Sequence, residues 1–178
     1  MGGALSVVET ARLIGRLPAL EHLEEFAALM ASPQVAETMW PGDLGGAGGP
    51  RSREQSEAWL RKDIAHWQVH DFGVWHAFER STDQLVGRIG PRVTLIEGVM
   101  EVELAWIVHP DHWGQGYAAE LATAGRDLAF SRGLRSIVAM TLPTNTQSLR
   151  VMEKLGMTYE ADITNAGLPH VLYRLQRD

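Results

Sequence analysis

The stretch Trp106-Ile107-Val108-His109-Pro110-Asp111-His112-Trp113-Gly114-Gln115-Gly116-Tyr117-Ala118-Ala119-Glu120 decides the fold. An alternating, β-branched run ends at Val108, and Pro110 stops it by removing a ladder donor. Two glycines follow, then an alanine-rich helix start. The first N–H groups of a helix have no partner within it and carry a partial positive charge. Gly114 and Gly116 remove the side chains that would keep an anion away. This is how a diphosphate is held without lysines.

The six residues from Gly114 to Ala119 formally match G-x-G-x-x-A, the dinucleotide fingerprint. That fingerprint needs an acid about 20 residues further on to hold a ribose. Here the chain reads Leu134-Arg135-Ser136-Ile137. It also belongs in the first turn of an N-terminal βαβ unit, whereas this turn lies past the midpoint. No Walker loop is present. A glycine turn that binds nothing is the plainer alternative.

Moving outward, residues 99–108 form the strongest strand, preceded by a tight turn at Glu97-Gly98 and short strands at 93–96, 85–89 and 74–79. A helix from about Gln115 buries Ala118, Leu121, Ala122, Gly125, Leu128 and Ala129, with Gly133 as its stop. Then come a strand at 137–142, a short helix at 148–155 closed by Gly156, and strands at 157–163 and 171–175. On the N-terminal side, 7–17 is strand-like up to Pro18. Leu20, Leu23, Phe26, Ala27 and Met30 share a helical face. Ser52 and Gln55 make a capping box for a second helix. The order predicts one α+β domain, residues 1–178, around a mixed sheet.

Length and composition agree. The 178 residues with 45% hydrophobic side chains suffice for one core. Lys plus Arg is 16 against 22 Asp plus Glu, a net charge of −6, which argues against nucleic-acid binding. With no cysteine, disulfides and a cysteine nucleophile are excluded, and a cytoplasmic setting is compatible. No apolar run reaches the roughly 18 residues of a membrane span, and no secretory signal is visible. Met1-Gly2 with Ser6 fits a myristoylation pattern, read as coincidence because no polybasic second anchor follows. Residues 41–50 carry five glycines and read as a loop, either a dispensable insertion or a lid.

The glycine turn resembles the acyl-CoA pyrophosphate loop of the GNAT acetyltransferase superfamily, Q/R-x-x-G-x-G/A. Gly116 and Ala118 hold its last two positions, and Trp113 departs from its first. The Trp-Gly-Gln-Gly-Tyr-Ala form is similar to the RimJ/RimL-like branch. Asn145-Thr146-Gln147-Ser148 through Leu155-Gly156-Met157 resembles the family's N-x-x-S…LGF segment, and Thr10-Ala11-Arg12-Leu13 its T-x-R-L first strand. The resemblance implies a GNAT-like, mostly antiparallel sheet of about seven strands, splayed between the fourth and fifth and flanked by about four helices.

It further implies an acetyl-CoA-dependent N-acetyltransferase acting on a small-molecule amine or a protein N-terminus, with no metal and a possible homodimer. The donor's arm would lie along Trp106, Ile107 and Val108. Its diphosphate would meet the amides of Gly114, Gln115, Gly116, Tyr117, Ala118 and Ala119, with Asn145 a further contact. A CoA-binding sensor that lost turnover is the alternative.

Amine acetylation needs a proton acceptor for the amine and a proton donor for the departing thiolate. Glu101 and Glu103 share one strand face by alternation. Glu103, nearer the splay, is the candidate base, with a solvated surface carboxylate as the bland alternative. Ser148 is the candidate donor, because Met152 stands where related enzymes carry Tyr. Asn145 is equally suited to capping a helix. His66 and His70, spaced i, i+4, lack the Glu of a metalloprotease motif and read as a polar helix flank. Trp40, Trp59, Trp67 and Trp75 read as core, with one or two available to line an acceptor pocket.

Overall fold

The computed structural model describes residues 7–177; the acylation-like pattern of Met1, Gly2 and Ser6 lies outside them. The strands are β1 (Val7–Glu9), β2 (Leu13–Arg16), β3 (Trp75–Glu79), β4 (Leu85–Ile96), β5 (Val99–Val108), β6 (Ser136–Thr141), β7 (Thr158–Asn165) and β8 (Leu168–Gln176). They form one sheet in the order β1-β2-β3-β4-β5-β6-β8-β7. Every neighbouring pair is antiparallel except β5 and β6. The helices are α1 (Leu23–Met30), α2 (Pro33–Met39), α3 (Arg53–His70), α4 (Tyr117–Ser131) and α5 (Thr146–Lys154). This is the expected α+β, GNAT-type architecture.

The counts differ from expectation, for local reasons. Among the described residues there are eight strands rather than about seven, so the splay falls between the fifth and sixth. The run 7–17 breaks in two because Thr10 turns the chain: its Oγ1 accepts from the Leu13 N–H at 3.1 Å, and its own N–H donates to the Leu13 carbonyl at 2.9 Å. The runs 85–89 and 93–96 fuse, since β4 pairs with β5 without a break from Gly87 to Ile96. The fifth helix is α2, opened by Ser32, whose hydroxyl accepts from the Val35 N–H, with Pro33 in the first turn.

The sheet is covered on both faces. Leu13, Ala77, Val86, Leu104 and Val108 pack with Leu121 and Ala122 of α4 and Met152 of α5. On the other face, Phe78, Leu85 and Ile107 pack with Phe26, Met30, Val35 and Leu60 from α1, α2 and α3. Helix α4 lies close to the sheet at Gly125. A methyl there would come within 2.9 Å of Leu104 Cδ1 and 3.2 Å of Pro91 Cδ.

One irregularity sets up the site. Phe78 pairs with Leu85 but Ala77 pairs with Gly87, so β4 carries an extra residue at Val86. A bulge of this kind resets the alternation of side chains. After it, Arg88 faces α3, where Nε and Nη2 reach the two oxygens of Asp63 at 2.5 and 2.6 Å. Arg92, four residues on, shares that face and sits directly opposite Glu103.

Candidate active site

Strands β5 and β6 are joined by a single parallel bridge, Glu103 to Val138. Beyond it they diverge, and residues 104–108 of β5 lose their backbone partner on that side. Unpaired backbone groups in such a gap need a partner. A cavity of about 300 Å³ opens there, walled by Trp106, Ile107 and Val108, by the glycine turn, and by Asn145 and Ser148 of the α5 start. A second cavity of about 350 Å³ reaches Trp40, Trp59 and the loop 41–50 and is lined by Glu103. The two share Thr38, Met39, Trp106, Ile107, Asn145 and Ser148, so they meet there.

The helix start behaves as its sequence predicts. Gly116 is the N-cap of α4 at φ 82°, and no side chain caps the helix. The first-turn N–H groups are therefore left without side-chain acceptors. Gly114, at φ 74°, has open space where a Cβ would stand. Gly114, Gly116, Ala118 and Ala119 all line the first cavity. Gln115 and Tyr117 do not bring their side chains to it. The Gln115 amide nitrogen donates to the Asp111 carbonyl, and the buried Tyr117 donates its hydroxyl to Glu79. Either could serve an anion only through its backbone N–H. Uncapped donors and an open turn fit the diphosphate of the expected donor molecule.

Trp113, the departure from the consensus, packs against the core and donates its indole N–H to the Val108 carbonyl at 2.8 Å. One acceptor position of Val108 is therefore already occupied. Asn145 is a genuine N-cap: its Oδ1 accepts from the Ser148 N–H at 3.2 Å. Its amide nitrogen is not needed for that role. The Ser148 hydroxyl accepts from Trp106 Nε1 at 3.2 Å.

The two strand carboxylates separate. Glu101 is taken up by Arg174, which also pairs with Glu160 and is held more firmly protonated by both. Glu103 is 5% exposed, and one of its oxygens, Oε2, accepts from Arg92 Nε at 2.8 Å. The charge of Glu103 in turn raises the pKa of Arg92. Asn145 and Ser148 border the same second cavity as Glu103.

Several residues escaped the sequence reading. Arg150 and Lys154 lie one turn apart on α5 and put two cations at the first cavity. Arg12 donates to the Gln115 carbonyl at 2.8 Å and pairs with Glu120, which also accepts from Thr10 at 2.6 Å. Burial alone would raise the Glu120 pKa, but these hydrogen bonds outweigh it and lower it. The clamp fixes the glycine turn from behind. Of the loop 41–50, Gly46 and Ala47 border the second cavity beside Trp40 and Trp59. His66 is not free on a polar flank: its Nε2 accepts from the Val93 N–H at 2.9 Å. No cluster of three or more metal-ligating side chains occurs among the described residues.

Comparison with known proteins agrees with this geometry. The acetyltransferase (GNAT) domain family matches residues 12–158. The uncharacterized N-acetyltransferase YoaA of Bacillus subtilis is 27% identical over 155 residues, 86% of this chain and 84% of its own. An acetyltransferase structure from Agrobacterium tumefaciens superposes with a TM-score of 0.77 at 29% identity, covering 96% of this chain and 94% of the other. RimL, a ribosomal L7/L12 α-N-protein acetyltransferase in complex with coenzyme A, shares the fold with a TM-score of 0.75 at 15% identity, covering 96% and 97%. With the family's domain matched over most of its length, this chain belongs to the GNAT acetyltransferases.

Proposed function

We propose that this chain takes the acetyl group of acetyl-CoA and passes it directly to a primary amine within a ternary complex. The reading is RimJ/RimL-like and cytoplasmic, the acceptor being a protein N-terminal α-amine or a small-molecule amine. The observation that carries it is the meeting of two cavities at Trp106, Asn145 and Ser148, with an uncapped helix start on one side and a buried carboxylate on the other. The coenzyme A held by RimL supports it by analogy of fold.

Bound acetyl-CoA supplies an acetyl group activated as a thioester. The first-turn N–H groups of α4 would hold the diphosphate, with Arg150 and Lys154 adding charge. The unpaired edge of residues 106–108 and the Asn145 amide would hold the arm. Glu103 receives the amine's proton, and the Ser148 hydroxyl gives one to the departing sulfur. Because the chain has no cysteine, the familiar covalent relay is missing, and holding the amine against the thioester supplies much of the rate by proximity.

The test pairs calorimetry of acetyl-CoA binding with thiol release over a panel of amines. Micromolar binding, amine-dependent release and intersecting initial-rate plots are expected. Binding without release across the panel would make the chain a sensor. A burst of CoA before amine is added, with a transferable acetyl group on the protein, would overturn direct transfer.

A further inference from the structure

The second cavity has an excess of positive charge in a chain of net charge −6. Three arginines line it: Arg51, Arg88 and Arg92. Arg88 is neutralised by Asp63 and Arg92 by Glu103. Among the described residues, no carboxylate pairs with Arg51. Its guanidinium instead lies over the Trp40 ring, 4.1 Å from the centroid. Stacking covers one face of the plane and leaves the N–H edge available, and that edge is the part that recognises carboxylate or phosphate. Arg51 is anchored from below by its own N–H, which donates to the Met30 carbonyl at 3.0 Å. Beside it, Trp40 and Trp59 pack at a centroid distance of 5.9 Å, and with Met39 they give the cavity an apolar wall.

We infer that the acceptor is a small primary amine with an anionic group on a flat apolar body, its anion bound by Arg51 and its amine turned toward Glu103. The inference rests on the transferase reading above for the fate of the amine, but not for the binding of the anion. A cation on an aromatic wall with no protein counter-ion is completed by a ligand that brings one. The two packed indoles present an aromatic surface against which a flat apolar body can lie, which a merely aliphatic wall would not favour. The neighbouring Arg88 and Arg92 are already satisfied by their carboxylates, which leaves Arg51, among the described residues, as the free fork of this cavity.

The experiment uses two matched pairs: benzylamine with 4-(aminomethyl)benzoate, and tryptamine with tryptophan. Within a pair the amine and ring are alike and only the carboxylate differs. The ratio of kcat/KM values, anionic over neutral, is measured for the parent protein, Arg51→Gln and Arg51→Lys. At least a tenfold preference for the anionic member of one pair is expected, collapsing toward unity in Arg51→Gln and partly retained in Arg51→Lys. Equal or reversed preference in both pairs, or a ratio unmoved by Arg51→Gln, overturns the inference. Calorimetry of 4-(aminomethyl)benzoate and tryptophan on the CoA-saturated protein separates the two readings. If no amine is acetylated but an anionic one binds and Arg51→Gln weakens it tenfold, the anion site stands and the transferase reading falls. If neither binds, the anion site falls.

Discussion

The indole N–H of Trp106 donates to the hydroxyl oxygen of Ser148, 3.2 Å away, across the gap between β5 and α5. A hydroxyl that accepts there keeps its own proton free to give. In the proposed reaction that proton goes to the departing sulfur where the two cavities join. Ser148→Ala should lower kcat by roughly ten- to a hundredfold, the low end of the range for losing a positioned acid. Acetyl-CoA affinity, read by calorimetry, should change little. Trp106→Phe should cost less, since the hydroxyl survives but loses its orientation. Equal kcat values for Ser148→Ala and the parent would remove Ser148 from the chemistry.

Glu103→Gln tests the other proton. Acetyl-CoA binding should persist while kcat falls by about a hundredfold or more. Without an acceptor on the protein, only amine that arrives deprotonated can react. That fraction shrinks as pH falls, so the deficit should widen from pH 9 to pH 6. A parallel pH profile for the two proteins would leave Glu103 as nothing more than the partner of Arg92.

The glycine turn makes a separate prediction. Gly116 sits at φ 82°, where a β-branched residue is strained. Gly116→Val should lower acetyl-CoA affinity at least about tenfold, or 1.4 kcal/mol. Far-ultraviolet circular dichroism should show the helix content intact. Unchanged affinity in the folded variant means the diphosphate lies elsewhere.

Arg88 and Asp63 form a buried bidentate pair with side chains 2% and 8% exposed. Removing one partner strands a charge in the interior. Asp63→Ala should therefore cost about 3–5 kcal/mol in urea denaturation. The double change Arg88→Met with Asp63→Leu should recover most of that, because the stranded charge goes too. A cost for the double variant equal to that of the single one would contradict this account.

His76 is fully buried and stacks on Phe26 at 4.9 Å. Neither ring nitrogen finds a partner among the described residues. Burial, and then the charges of His22 and Arg88, lower its pKa to about 3. The unfolded chain takes up that proton near pH 6.5, so it binds more protons than the native state below that pH. Stability is therefore full above pH 6.5 and falls as pH drops toward 3, by about 2 kcal/mol at pH 5 from this residue alone. His22 and His66, also lowered by burial, act in the same direction. Urea midpoints at pH 7 and pH 5 measure the slope, and His76→Phe should flatten it.

The sequence made the glycine turn, the α4 stripe and the capping roles of Ser52 and Asn145 readable because each is local: a cap and its donor lie three residues apart. The resemblance in Thr10-Ala11-Arg12-Leu13 was visible as a pattern, but its physical sense was not. Arg12 and Thr10 close on Glu120, more than a hundred positions away, and no periodicity encodes that distance. The extra residue at Val86 was hidden as well. A bulge changes facing without changing composition, so nothing in 85–92 announced that Arg88 and Arg92 would share the face of Glu103. Helix α2 was missed: Ser32-Pro33 is a helix-start pattern, but the segment is too short for its apolar spacing to stand out.

The single backbone bridge between β5 and β6 has a mechanical meaning. Across the rest of that seam the two halves of the sheet are held by side chains: Ile96 and Val138 share one apolar cluster, Leu104 and Ile137 another, and Arg174 of β8 reaches Glu101 of β5. Hydrogen bonds fix register, whereas apolar adhesion has no direction and yields to sliding. The seam is thus pinned by one backbone bridge and one ion pair, and it is softer than the continuous ladders on either side. Small shear there would change the width of the gap without breaking any ladder, working against Glu101–Arg174 and against Trp106–Ser148.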